Sequence, residues 1–226
     1  MNDTAHLDSR IGNIDAIVIG ASAGGVEALS TLLPALPQNA VAATFVVLHL
    51  PRERPSLLVD IFAPKCAQPV REAQDKEPVE AGTIYFAPPD YHLLIDTGPQ
   101  LALSADEPVN FSRPAIDVLF ESAADQYGAR LLGIILTGAN HDGAAGLQAV
   151  RKAGGIAIVQ HPDDAQSSYM PEVALQQGAV DAVLTVQQIA ALLRTLVRTA
   201  TPTSALTSGR TSVHSPSRTF SGGEKQ

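Results

Sequence analysis

An apolar run of strand length that feeds straight into a glycine-bearing turn, and from there into a helical pattern, leaves a chain few folds to choose from. Residues 14–29, Ile-Asp-Ala-Ile-Val-Ile-Gly-Ala-Ser-Ala-Gly-Gly-Val-Glu-Ala-Leu, are such a stretch. Residues 14–20 read as a buried strand, 24–33 as a helix, and Ser22 stands on the turn between them. Gly20-Ala21-Ser22-Ala23-Gly24 fits Gly-x-Ser-x-Gly, in which a sharp strand-to-helix turn presents a serine hydroxyl. A glycine-rich turn after a strand can also cradle the phosphates of a dinucleotide. The two readings require different partners elsewhere in the chain.

Strand patterns recur at 43–48, 69–72, 131–136, 156–160 and 182–184. Helical patterns at 56–62, 115–127, 143–153, 170–177 and 186–198 alternate with them. Near-continuous apolar strands interleaved with helices predict an α/β fold, a doubly wound and mostly parallel sheet with helices on both faces. Apolar residues make up 45% of the chain and aromatics only 4%, so the core must be aliphatic, as buried parallel strands are. Between 82 and 104 the pattern changes. Short strands at 82–87, 91–95 and 101–104 are separated by Pro88-Pro89-Asp90 and Asp96-Thr97-Gly98-Pro99, which predicts an antiparallel hairpin or meander at one edge of the sheet. Residues 1–13 read as a flexible leader without the apolar segment of a signal peptide. Residues 14–198 read as one domain, and 199–226, rich in Ser and Thr, as a disordered tail.

A formal charge of −8 argues against a nucleic-acid backbone as partner. No apolar run approaches the roughly 20 residues of a membrane span. Cys66 stands alone, which rules out an intrachain disulfide and suits a reducing compartment. These features predict a cytoplasmic protein without membrane insertion.

A dinucleotide site needs an acid at the end of the second strand to bind the ribose. Here that position carries His49, no acid appears before Glu53, and Ser22 replaces the middle glycine. The nucleophile reading fares better. In open parallel sheets, sites form beyond the carboxyl ends of the strands where strand order reverses, and neighbouring strand ends lie about 5 Å apart. His49 then stands beside Ser22, and the strand at 131–136 delivers Asp142 from the other side. Imidazole can take the serine proton while a carboxylate on its other nitrogen fixes the tautomer. Backbone N–H groups at Ala23 and in the Ala139–Asn140 region are placed to hold an oxyanion.

Other histidines compete less well. His161, with Asp163 and Asp164 near, follows a strand two away from Ser22; His141 adjoins Asp142 and points elsewhere; His92 lies in the hairpin, exposed or structural. A metal set of His141, Asp142, His161 and Asp163 has no fixed-spacing signature, and the expectation is no metal.

Several motifs occur together in order. They are Ile17-Val18-Ile19-Gly20-Ala21-Ser22-Ala23-Gly24-Gly25, His49-Leu50-Pro51, Pro88-Pro89-Asp90-Tyr91-His92, Ser112-Arg113-Pro114-Ala115-Ile116-Asp117, Leu136-Thr137-Gly138 and Asp142-Gly143-Ala144. Met170-Pro171 and Gly178-Ala179-Val180-Asp181 complete the set. From Asp15 to Leu196 the chain resembles the catalytic domain of the chemotaxis protein-glutamate methylesterases (CheB-type). The resemblance implies a Ser, His, Asp triad at Ser22, His49 and Asp142. It implies hydrolysis of glutamate methyl esters on chemoreceptor helical bundles, deamidation of receptor glutamines, and no cofactor. The family usually has Thr at the position of Ala23 and Met-Gly at Ala139-Asn140. Backbone donors at Ala23 and Ala139 survive such changes, but Asn140 would strain a loop that needs positive φ. Typical members also carry an N-terminal receiver domain, for which residues 1–13 leave no room, so regulation is expected to be absent, supplied in trans, or different in kind.

Overall fold

Seven short strands pair edge to edge in the computed structural model, which describes residues 10–50, 56–178 and 180–196. They are β1 (Ala16–Ala21), β2 (Ala43–Leu48), β3 (Val70–Glu72), β4 (Ile84–Phe86), β7 (Leu131–Ile135), β8 (Ile156–Gln160) and β9 (Ala182–Leu184). Their order is β3-β4-β2-β1-β7-β8-β9, and every pair is parallel. All residues of β1, β2, β7 and β8 are buried, the mark of strands covered on both faces. The expected doubly wound α/β sheet is present.

Alternation along β1 assigns the two faces. Ile17 and Ile19 pack with Leu29 and Leu32 of α1 (Gly25–Leu32), Phe62 of α2 (Leu58–Phe62) and Ile189 of α6 (Val186–Leu193). Ala16 and Val18 face Phe120 of α3 (Ile116–Tyr127), Leu147 of α4 (Ala144–Lys152) and Met170 of α5 (Tyr169–Gln177). The chain lays β2, β3 and β4 on one side of β1, then returns to place β7, β8 and β9 on the other. Strand order therefore reverses at β1, and a crevice opens beyond its carboxyl end.

One assignment differs from expectation. Residues 82–87 were expected in the hairpin, but Ile84–Phe86 lies between β3 and β2 in the parallel sheet. All three residues are fully buried, with Ile84 and Phe86 in one core and Tyr85 in the other. A three-residue strand is too short for its pattern to reveal this. The hairpin is made by β5 (His92–Asp96) and β6 (Gln100–Ser104), antiparallel and forming a separate two-stranded sheet. It packs Leu93, Ile95 and Leu101 into the α3 side of the core, and the Ile95 N–H donates to Ser122 Oγ at 3.1 Å.

Of residues 1–13, the structure describes 10–13, and there Ile11 is 2% exposed and Arg10 pairs with Asp181 at 3.0 Å. The tail at 199–226 lies outside the described residues, among which no helix is long and apolar enough to cross a membrane.

Phe120 is fully buried at the centre of the α3 layer. Phe120→Ala is expected to cost about 3–5 kcal/mol, read as a lowered urea midpoint at unchanged m-value.

Candidate active site

Parallel register places the first two candidate residues. Ala21 of β1 is paired with Leu48 of β2, so Ser22 and His49 follow directly on neighbouring strands, and the His49 N–H donates to Ala21 O at 3.1 Å. On the other side the Leu136 N–H donates to Gly20 O (2.9 Å) and the Ser22 N–H to Thr137 O (3.0 Å), zipping the end of β7 to the elbow. The Gly25 N–H closes the turn on Ser22 O at 2.8 Å.

The left-handed residue of the turn is Gly24, at φ +80°, and not Ser22. The reversal is thus carried by glycine, which adopts it at little cost. Thr137 Oγ1 donates to Ala23 O (2.8 Å) and accepts from the Ser167 N–H (2.9 Å), tying the elbow to the segment that precedes α5. Gly138 is glycine for a steric reason: a Cβ there would lie 3.0 Å from Ser22 Cβ and 2.1 Å from Met170 Cε.

Asp142 is fully buried. Its Oδ2 accepts from His49 Nε2 (2.9 Å) and the Ile116 N–H (2.6 Å), and its Oδ1 from the Asp117 N–H and Asn110 Nδ2, both at 3.1 Å. Ile116 and Asp117 open α3, whose own N-cap residue, Ala115, supplies no capping side chain. Asp142 therefore caps a helix 25 residues upstream of itself, and the positive helix end favours the carboxylate. Burial alone pushes the Asp142 pKa up, but the His49, Ile116 and Asn110 hydrogen bonds outweigh it and hold the group below its ordinary value. Its neighbour Asp117 goes the other way. Burial raises it, the Gly146 N–H opposes, and the Asp142 charge adds to the rise. The two hydrogens of one amide serve both carboxylates: Asn110 Nδ2 lies 2.8 Å from Asp117 Oδ2 as well as near Asp142. Asn110 holds a left-handed backbone, φ +51°, which asparagine tolerates.

Asn140 completes the cluster. Its Oδ1 accepts from the Asp142 N–H at 3.2 Å and its Nδ2 lies 2.9 Å from His49 Nδ1. It is not among the positive-φ residues, so the strain expected from replacing glycine does not arise.

Ser22 and His49 line one cleft of about 310 Å³, together with Glu27, Leu50 and Gln166. Among the described residues, neither the Ala23 nor the Ala139 backbone N–H donates to a protein acceptor, so both remain available. His92 is structural: it is buried, with Nδ1 accepting from the Ala115 N–H (3.2 Å) and Nε2 facing Glu107 O (3.1 Å). His161 accepts from the Asp163 N–H, two strands from β1, and His141 is exposed. The described residues contain no group of three or more His, Cys, Asp or Glu able to hold a metal.

The structure thus brings His49 and Asp142 into contact, with Ser22 alongside. Thr137, Asn110 and Asn140 were not singled out for these contacts by sequence reasoning. One signal was legible: an α3 that begins without a capping side chain must have its first N–H groups satisfied from elsewhere.

Comparison with known proteins agrees with this fold. The CheB methylesterase family matches residues 17–193. A Leptospira interrogans protein provisionally named protein-glutamate methylesterase/protein-glutamine glutaminase is 44% identical over 180 residues, which span 80% of this chain and 93% of the relative. The protein-glutamate methylesterase/protein-glutamine glutaminase of Symbiobacterium thermophilum is 40% identical over 174 residues, 77% of this chain but only 48% of its own length. The crystal structure of the Thermotoga maritima CheB methylesterase catalytic domain superposes with a TM-score of 0.75 at 32% identity, covering 81% of this chain and 99% of that one. With the family matched from 17 to 193 and such a relative covered nearly end to end, the chain belongs to the CheB methylesterase family.

Proposed function

We propose that the chain is a cytoplasmic protein-glutamate methylesterase acting on the helical bundle of methylated chemoreceptors, with Ser22 as nucleophile, His49 as general base and Asp142 as the acid that orients it. The observation that carries this is the meeting of three loops beyond the strand ends, with His49 Nε2 on the buried Asp142 carboxylate and His49 lining the same cleft as Ser22. The names of the relatives point to the same reaction.

The chemistry follows from the donors. Ser22 Oγ attacks the ester carbonyl carbon while its proton passes to His49 Nδ1, since Nε2 is turned to Asp142. Charge that develops on the carbonyl oxygen is taken by the Ala23 and Ala139 N–H groups. The C–OCH3 bond breaks, and His49 returns the proton to the leaving oxygen as methanol. Water then attacks the acyl-serine by the same route in reverse, releasing glutamate and restoring Ser22. A glutamine side chain enters the same cycle with ammonia as leaving group. Every proton transfer is served by a named residue, and no step calls for a metal or organic cofactor.

A second reading, a binding module that does no chemistry, draws on one observation: His49 Nδ1 is held by Asn140 and not by the Ser22 hydroxyl. Labelling with a fluorophosphonate separates the two, because only an activated serine gains mass.

Ser22→Ala is expected to abolish methanol release from methylated receptors, and release at the wild-type rate would refute the assignment. Asp142→Asn is expected to lose about 10³–10⁴-fold in kcat, measured on folded protein.

Asp142 also predicts a pH dependence of stability. Its folded pKa lies below the unfolded value of about 3.9, so its contribution is fully present above that and lost as pH falls through the folded value. The stability gap between wild type and Asp142→Asn, from urea unfolding, is expected to narrow as pH falls below about 4. Asp117 is common to both proteins and cancels to first order.

A further inference from the structure

Both ring nitrogens of His49 are engaged, and hydrogen-bond polarity fixes the direction of each bond. The Asp142 N–H can only donate, so the Asn140 atom 3.2 Å from it is the carbonyl oxygen. The Asn140 amino group then faces His49 Nδ1 at 2.9 Å, and an amino group also only donates. His49 Nδ1 is therefore an acceptor without a proton, and the ring proton sits on Nε2, 2.9 Å from the Asp142 carboxylate. Donation runs once around a closed circuit, from Asp142 N–H to Asn140, from Asn140 to His49, and from His49 back to Asp142.

This circuit fixes the tautomer that a serine base needs. It also places the Asn140 amide on the lone pair that must receive the Ser22 proton. Only this direction of donation satisfies all three bonds. A proton on Nδ1 would meet the Asn140 amino group, donor against donor. Turning the amide over would bring Oδ1 to Nδ1 but set the amino group against the Asp142 N–H. Either arrangement forfeits one hydrogen bond.

We propose that Asn140 is a positioning residue that also caps the resting base: it holds His49 in its working tautomer and competes with Ser22 for Nδ1, so that bound substrate must displace it before the serine is activated. The proposal rests on the reading of Ser22 and His49 as nucleophile and base.

The test measures fluorophosphonate labelling of Ser22, and kcat and KM for methanol release, in wild type, Asn140→Ala, Asn140→Asp and His49→Ala. Asn140→Ala frees Nδ1 and is expected to raise the labelling rate and kcat about 3- to 10-fold with KM little changed, the reach of one neutral hydrogen bond. Asn140→Asp is expected to slow both, because a carboxylate at that place holds a proton on Nδ1. Ring ¹⁵N spectra then show both His49 nitrogens protonated in Asn140→Asp and only Nε2 protonated in wild type. Opposite effects from two substitutions at one site, at unchanged unfolding midpoint, are not produced by a purely structural role. Should the alanine variant not fold, Asn140→Gly gives the same readout. Labelling of folded Asn140→Ala at or below the wild-type rate overturns the cap, provided His49→Ala is unreactive. If His49→Ala labels as fast as wild type, the base assignment falls and the cap with it.

Discussion

A carboxylate cut off from water has to find its donors inside the protein. Asp142 finds four, from His49, Ile116, Asp117 and Asn110, and they come from three separate parts of the fold. Two are the open end of α3, one is an asparagine on a left-handed turn after the hairpin, and one is the residue that follows β2. Unpaired, such a charge would cost several kcal/mol. Paired, it draws helix, hairpin loop and strand end to one point through charge-assisted bonds. The orientation of the His49 ring is a by-product of satisfying that charge.

The sheet supplies what Asp142 cannot, which is the neighbour of His49. Parallel pairing of β1 and β2 in register makes the residues after Ala21 and Leu48 adjacent without any special loop. Hydrogen bonds from Leu136 and Ser22 fasten the β7 side, and Thr137 ties the elbow to the segment before α5. Ladder bonds hold the strand ends that border the crevice, and the left-handed residue of the elbow is Gly24.

What could be read from the sequence follows the same division. Long apolar strands announced themselves, since burial on both faces leaves a continuous run. Ser22 and His49 could be named as candidates because each directly follows a strand, and Asp142 because it lies in the loop between β7 and α4. β4 was not, because three residues between prolines and glycines look like part of a meander until their partners are known. Asn110, Thr137 and Asn140 were illegible in a stronger sense. Their contacts span 32, 114 and 91 residues of chain, to Asp142, Ala23 and His49, and nothing local distinguishes them from loop asparagines and a loop threonine. Asn140 drew notice for its backbone alone, as a neighbour of an oxyanion donor and as a departure from glycine that could strain the loop. The structure moves the concern from its backbone to its amide.

The helix cap gives Asp142 a second occupation, and the two have different tenures. A descendant of this chain that abandoned chemistry would be free to lose the Ser22 hydroxyl, which makes no hydrogen bond among the described residues. It would still need something at position 142 to receive the N–H groups of Ile116 and Asp117. Erosion of the site would therefore begin at the serine and reach the aspartate last, so an intact Asp142 in a related chain testifies to a folded α3 rather than to a working enzyme.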